Sequence, residues 1–427
     1  MLTFTGAKQA FCDGLNRRNF LKIGAFGAGL TLADMLRLQA QASNTPGRTA
    51  PSRPKSAIMI YLPGGPTHMD TYDLKPDAPA EFRGEFTPIQ TNVTGVQISP
   101  LFPLQARMFD KFAVIRSIVT VNEHSDSLVM TGKSSRDNMT ANHPSFGSVV
   151  SRVRSGQAHS APAFVSLRGM SRGTEPGFLG IQHRPFATNG PGIQNLRQLT
   201  TVDESRLNDR RAMLQSFDSL NREVDANAAG LDTFTTRAFD MVASGGVRNA
   251  LDLNREEQQS RTRYRGVEQF LTARRLIEAG VGCVTMSYGG WDTHGQNFQA
   301  MRRQLPNLDK GLSLLVGDLH QRGLLNDTVV VVWGEFGRTP RINRNAGRDH
   351  WPAVMSALVA GGGLRVGQAV GSSTSRGERP QDRPLTAPQV LATLYRAIGI
   401  DPAMTFNNGT GRPIHIVDDR NPITELL

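Results

Sequence analysis

Two residues apart in the turn G-G-W-D-T-H-G, Asp292 and His294 can offer a carboxylate oxygen and an imidazole nitrogen to one ion with little strain. Those atom types are the usual ligands of zinc and related divalent cations. A second set lies in residues 328–352, T-V-V-V-V-W-G-E-F-G-R-T-P-R-I-N-R-N-A-G-R-D-H-W-P, where Glu335, Asp349 and His350 stand with Arg338, Arg341 and Arg348. A guanidinium presents a planar fork of donors that suits an anionic group. Thr67, His68, Asp70 and Asp73 fall within seven residues of one another. His124 and Ser125 form a fourth group in N-E-H-S-D-S, where Ser125 or Asp126 can cap a following helix and set His124 at its positive end.

Strands must bring these groups together. The valines at 329–332 form a β-branched run of the kind buried on both faces of a sheet, and the run breaks at Gly334 into the polar loop. The same strand-then-glycine layout recurs at 56–62, before Gly64 and Gly65, and at 282–288, before Gly289 and Gly290. Paired glycines there permit a tight turn and close backbone approach. Functional groups in open α/β sheets gather beyond the carboxyl ends of strands, and all of these groups fit that rule. Further strands are expected at 112–118, 161–167 and 356–360. Leu305, Leu308, Leu312, Leu315 and Leu319 carry the three-four spacing of a helix with one buried face, and another helix is expected over 387–398. The alternation predicts a doubly wound, mostly parallel α/β sheet in a single domain over 55–427, with a charged helical insertion at about 200–280.

The apolar content of the 427 residues supports a sizeable core, and two cysteines, Cys12 and Cys283, cannot form a disulfide framework. N-R-R-N-F-L-K at 16–22 resembles the twin-arginine export motif. An apolar stretch follows at 23–36, then the small-residue cleavage pattern Ala40-Gln41-Ala42. The expected plan is therefore a signal peptide at 1–42 and a proline-rich linker at 43–54. Export through the twin-arginine machinery would deliver the chain to the periplasm or the exterior. The apolar stretch is too short for a membrane span and contains Asp34. The formal charge of +11 less the +3 of residues 1–42 leaves about +8 on the mature chain. Its arginines are scattered without basic runs or interleaved aromatics, which argues against nucleic acid and is compatible with an anionic small molecule or polysaccharide.

Four stretches resemble, in order, motifs of the alkaline phosphatase–sulfatase superfamily. I-S-P-L-F-P-L-Q-A-R-M-F is similar to its early T-P-N-L-D-R-L-A, and S-L-V-M-T-G-K to A-L-L-T-G-R. D-T-V-V-V-V-W-G-E-F-G resembles D-T-L-V-I-F-T-S-D-H-G, and L-T-A-P-Q-V-L-A-T-L-Y-R-A-I-G-I resembles its closing D-I-A-P-T-L-L-D-L-A-G-I. More closely, G-G-P-T-H-M-D-T-Y-D, W-D-T-H-G, G-E-F-G-R-T-P and G-R-D-H-W-P resemble the domain-of-unknown-function 1501 family. The resemblance implies an alkaline phosphatase/sulfatase-like fold and metal ligands at Asp292, His294 and His350. Glu335 would stand at the Asp of D-H-G, and Asp70 or His68 at the acid after the first strand. Phe336 replaces the second ligand of D-H-G, which favours one ion over two. The sulfatase nucleophile motif is absent, with Asn122 in its place and His124 and Ser125 nearby.

The expectation is an exported, metal-dependent hydrolase of phosphate or sulfate esters, using zinc or calcium, magnesium or manganese. The metal set comprises Asp70, His68, His124, Asp292, His294, Glu335 and His350. Thr67 or Ser125 would be the nucleophile, and Arg338 or Arg348 would clamp the anion. The alternative is a non-catalytic exported protein that binds an anionic glycan or a protein partner.

Overall fold

The four valines lie in a strand near the middle of a nine-stranded sheet, buried on both faces. The computed structural model describes residues 55–155, 161–167, 170, 173, 175–188 and 246–427. The signal peptide and linker expected at 1–54 lie outside the described residues, as does the 200–245 part of the expected insertion. In chain order the site-bearing strands are β1 (Ser56–Tyr61), β2 (Phe112–Val119), β3 (Phe164–Ser166), β4 (Phe186–Ala187), β5 (Cys283–Ser287) and β6 (Thr328–Trp333). They continue as β7 (Gly337–Arg338), β8 (His350–Trp351), β9 (Met355–Gly361), β10 (Gln368–Val370) and β11 (Leu385–Thr386). The sheet order is β10-β2-β9-β6-β1-β5-β3-β4, with β11 also on β2, while β7 and β8 pair as a separate ribbon. Every pairing in the main sheet is parallel except those of β9, which runs antiparallel to both β2 and β6. The α/β class with a mostly parallel sheet is as expected. The reversed direction of β9 was not legible, because an apolar run carries no sign of its direction.

Successive side chains of a strand face opposite sides, and the two faces hold separate cores. Ile58, Ile60, Val330, Val332, Val284 and Met286 meet the helices α3 (Glu268–Glu278) and α4 (Asn297–Gln321). Ala57, Met59, Val329, Val331 and Cys283 meet α1 (Ser127–Thr131), α2 (Phe146–Val153) and α5 (Ala387–Ala397). The helix α4 buries all five leucines of its expected stripe. A capping box in which Thr386 and Gln389 bond each other's backbone starts α5, with Pro388 in its first turn. Of the helical stretch before β5, Gly246–Leu251, Gln258–Arg263 and α3 are described. Arg274 of α3 is fully buried against Glu256, Glu278 and Asp318, which fastens these helices to α4. No helix among the described residues is long and apolar enough to cross a membrane.

Because β1, β2, β5 and β6 are co-directional, the loops carrying Thr67–Asp70, His124, Asp292–His294 and Glu335–Arg338 leave the same end of the sheet. The core that holds this end rigid includes Leu312, fully buried on α4. Leu312→Ala should cost about 2–5 kcal/mol, the range for emptying a buried leucine site, read as a lower urea midpoint with an unchanged m-value.

Candidate metal centre

Asp292, His294 and His350 form the tight centre of the site. The His294 and His350 Nε2 atoms lie 3.0 Å apart, and each is close to Asp292 Oδ1, at 3.0 and 3.2 Å respectively. His124 adds a fourth donor, its Nε2 3.7 Å from Asp292 Oδ2, and one ligand atom from each of the four lies within 4.8 Å of the others. The glycines after β1 make room for this. Gly64 has φ +95°, and a Cβ there would meet the Asp292 backbone nitrogen at 2.4 Å; a Cβ on Gly65, at φ +73°, would come equally close to the Phe336 carbonyl oxygen.

Each histidine turns its other nitrogen outward onto an oxygen. His294 Nδ1 is 2.6 Å from Asp349 Oδ1, His350 Nδ1 is 3.1 Å from Asn122 Oδ1, and His124 Nδ1 is 3.2 Å from Glu335 Oε1. A neutral imidazole has one N–H and one lone pair, so an outward Nδ1–H leaves the Nε2 lone pair aimed inward. Lone pairs from several rings then converge on a carboxylate. That crowding of electron density is unfavourable by itself and fits a cation between the donors. The electrostatics agree. Burial holds His350 below its ordinary value, aided by the charge of Arg338 and the neighbouring rings, against the pull of the nearby Asp292. For Asp292 burial raises the carboxyl, but the hydrogen bond and charge of Arg338 outweigh it and leave it below the usual range. The His294 hydrogen bond chiefly lowers Asp349.

Several expected site residues stand elsewhere. Thr67 and Asp70 are buried, the Thr67 hydroxyl donating to Asp70 Oδ2 at 3.0 Å. Asp70 receives Arg348 Nε at 2.7 Å and Asn297 Nδ2 at 2.8 Å, so it neutralises a buried guanidinium and is not a member of the centre. His68 is buried with Nε2 on the Gly377 carbonyl at 2.8 Å, facing away into the loop after β10. Ser125 lies before α1, whose N-cap position is Asp126, and its hydroxyl accepts the Ser127 backbone N–H in the turn that leads into the helix. Arg338 is fully buried: its donors go to Gly65 O, Arg348 O, Gly64 O and Asp292 Oδ1, the last at 2.6 Å. Arg348 is spent likewise on Asp70, Thr339 O, Pro340 O and Phe82 O. Neither guanidinium is a free clamp for an anion. Glu335 is buried behind His124 and receives the Gly64 N–H at 2.8 Å, which makes it a partner of the centre and not one of its four inner donors. Burial raises its carboxyl above the ordinary value against those hydrogen bonds. Phe336 is fully buried as an apolar wall, its ring 4.4 Å from that of His350 and 5.3 Å from that of His124. Asp349 stands in the polar set at 328–352 and Asn122 in place of the nucleophile motif, but nothing in the sequence marks either as the outer partner of an imidazole.

A model of one protein family, described as protein of unknown function (DUF1501), matches residues 54–427. The chain belongs to the DUF1501 family. No curated protein matches this DUF1501 chain. Among solved structures it is similar to a sulfatase, PsFucS1 from Pseudoalteromonas sp., with 12% identity over 86% of this chain and 70% of that one, at a TM-score of 0.36. It is also similar to the lipoteichoic acid synthase LtaP from Listeria monocytogenes, with 9% identity over 88% of this chain and 77% of that one, at a TM-score of 0.34. Both likenesses are distant.

The buried Arg348–Asp70 pair and the half-exposed donors make separable demands. Asp70→Ala leaves Arg348 buried without its carboxylate and should cost about 3–5 kcal/mol in denaturant unfolding. A fall in divalent-ion affinity with stability unchanged would instead return Asp70 to the centre.

Proposed function

We propose that this DUF1501 protein is an exported, metal-dependent hydrolase of phosphate or sulfate esters. The observation that carries this reading is the convergence of His124, His294 and His350 Nε2 atoms on Asp292, with every Nδ1 turned out onto an oxygen acceptor. Asp292, His294 and His350 would hold one divalent ion, with His124 as the fourth donor. When bound, such an ion acts as a Lewis acid toward an ester oxygen and makes water a better nucleophile near neutral pH.

The chain's own residues then have defined tasks. Arg338 fixes Asp292 through the 2.6 Å bond and so sets the carboxylate's direction. Asp349, Asn122 and Glu335 hold the imidazole planes. The Phe336 ring closes one side against water. Asp292, His294 and His124 stay about half exposed, which leaves an approach from solvent; an open position separates a catalytic centre from a closed structural one. Thr67 and Ser125 have their hydroxyls engaged elsewhere, so water is the attacking group in this reading. The spent guanidiniums mean that the substrate's negative charge is met chiefly at the ion itself.

That economy also supports a second reading, in which the same centre binds an anionic glycan or protein partner without turnover. A panel of phosphate and sulfate esters, assayed with zinc, manganese, magnesium and calcium, separates the two. The hydrolase reading expects turnover with a stoichiometric ion and a loss of at least ~100-fold in kcat/KM for His350→Ala. Absence of bound metal together with an unchanged His350→Ala protein would sink it. Binding of sulfated polysaccharide that survives loss of both Asp292 and Glu335 would favour the second reading. Export is tested independently: replacing Arg17 and Arg18 by lysine should leave the protein in the cytoplasmic fraction, and unaltered delivery would remove the twin-arginine route.

A further inference from the structure

We infer that Asp349 and Asn343 form a positioning device for His294, an outer carboxylate and an amide that together fix which ring nitrogen faces the centre. The inference rests on the metal reading above and adds residues that neither the family resemblance nor the donor set assigns.

The His294 Nδ1 to Asp349 Oδ1 contact, at 2.6 Å, is the shortest hydrogen bond made by any of the three rings of the centre. Asn343 sits across both partners. Its Nδ2 donates to the His294 carbonyl at 2.9 Å and reaches the two Asp349 oxygens at 3.2 and 3.3 Å. One amide thus holds the main chain of the ligand residue and the carboxylate that orients its ring. A carboxylate accepting the Nδ1 proton fixes the tautomer and raises the donor strength of Nε2.

A purely architectural role for the Asp349 side chain is poorly supported. The loop between β7 and β8 is held by other groups: Thr339 N bonds Asp349 O at 2.8 Å, and Asp349 N bonds the Thr339 hydroxyl at 2.9 Å. Asn343 Oδ1 organises the loop's tip by accepting from Asn345 N and Gly347 N, both at 2.9 Å. The loop is docked on the start of α4 by Gln296 N to Asn345 O and Asn297 N to Ala346 O, at 3.0 and 2.9 Å. None of these bonds uses the Asp349 carboxylate, whose side chain is 51% exposed and whose hydrogen-bond partners among the described residues are His294 and Asn343. A surface carboxylate spent on one imidazole and one amide is placed for that imidazole.

Asn343 offers a clean perturbation. In Asn343→Asp one oxygen can still accept from Asn345 and Gly347, but the donor facing Asp349 becomes a second carboxylate oxygen.

The test uses the full chain and cobalt(II) as the probe, with affinity read by competition against a chromophoric chelator and geometry read from the visible spectrum. Asp349→Ala should bind cobalt about 10–100-fold more weakly than the unaltered chain with a changed spectrum, while its metal-free denaturant midpoint stays unchanged. Asp349→Glu should recover part of the affinity, and Asn343→Asp should weaken binding in the same direction. Unchanged affinity and spectrum in Asp349→Ala, alongside loss of binding in His294→Ala, would overturn the positioning role and leave the metal reading standing. No cobalt binding by the unaltered chain would overturn both. Weaker binding that merely tracks a lowered metal-free midpoint would assign Asp349 to architecture and defeat the inference.

Discussion

The site depends on one buried cation. The Arg338 guanidinium is withdrawn from solvent and bonds the carbonyls of Gly64 and Gly65 after β1, the carbonyl of Arg348 before β8 and the carboxylate of Asp292 after β5. Three loops that share no local sequence are joined at one planar group. Burial disfavours its charged form, and Asp292 opposes that effect. A charge so placed persists only if its donors are satisfied, since an uncompensated buried ion costs several kcal/mol. The geometry of the centre follows, because Asp292 is the atom source on which the histidines converge.

Arg348 and Asp70 repeat the device one layer deeper. Asp70 takes two donors from the guanidinium and one each from Thr67 and Asn297, and Asn297 in turn accepts from Thr293. Residues 67–70, 293–297 and 348 are thereby tied beneath the half-exposed donors. The arrangement separates labour: two buried guanidiniums set the loop positions, while Asp292, His294 and His124 remain open to solvent. It also explains why two arginines that look like anion clamps in the sequence are none. A guanidinium with its N–H groups occupied inside the protein has nothing left for a substrate.

Phe336 closes the site on one side with a ring packed beside His350 and His124. An apolar wall there lowers the local dielectric and strengthens the charge interactions beside it. The electron-rich donors are concentrated on one cluster, and among the described residues no second group of metal-type donors accompanies it.

Much of the framework was legible because its causes are local. The valine run at 329–332, the leucine stripe of α4 and the paired glycines each depend on residues a few positions apart, and burial period and backbone freedom translate directly into strands, helices and turns. The pairing of Asp292 with His294 belongs to the same class, being a two-residue spacing in one turn. What the sequence could not determine is which distant partner each polar side chain finds. His294 and Asp349 are 55 positions apart, His124 and Glu335 are 211, and Asp70 and Arg348 are 278. Asp70, His68, Thr67 and Arg338 have the residue types of a site, and only the packing of loops from β1, β5 and β6 decides that they are sequestered as its supports. A side chain's chemistry is written in its type, but its protonation, exposure and remaining donors are set by neighbours that tertiary structure alone brings within 3 Å.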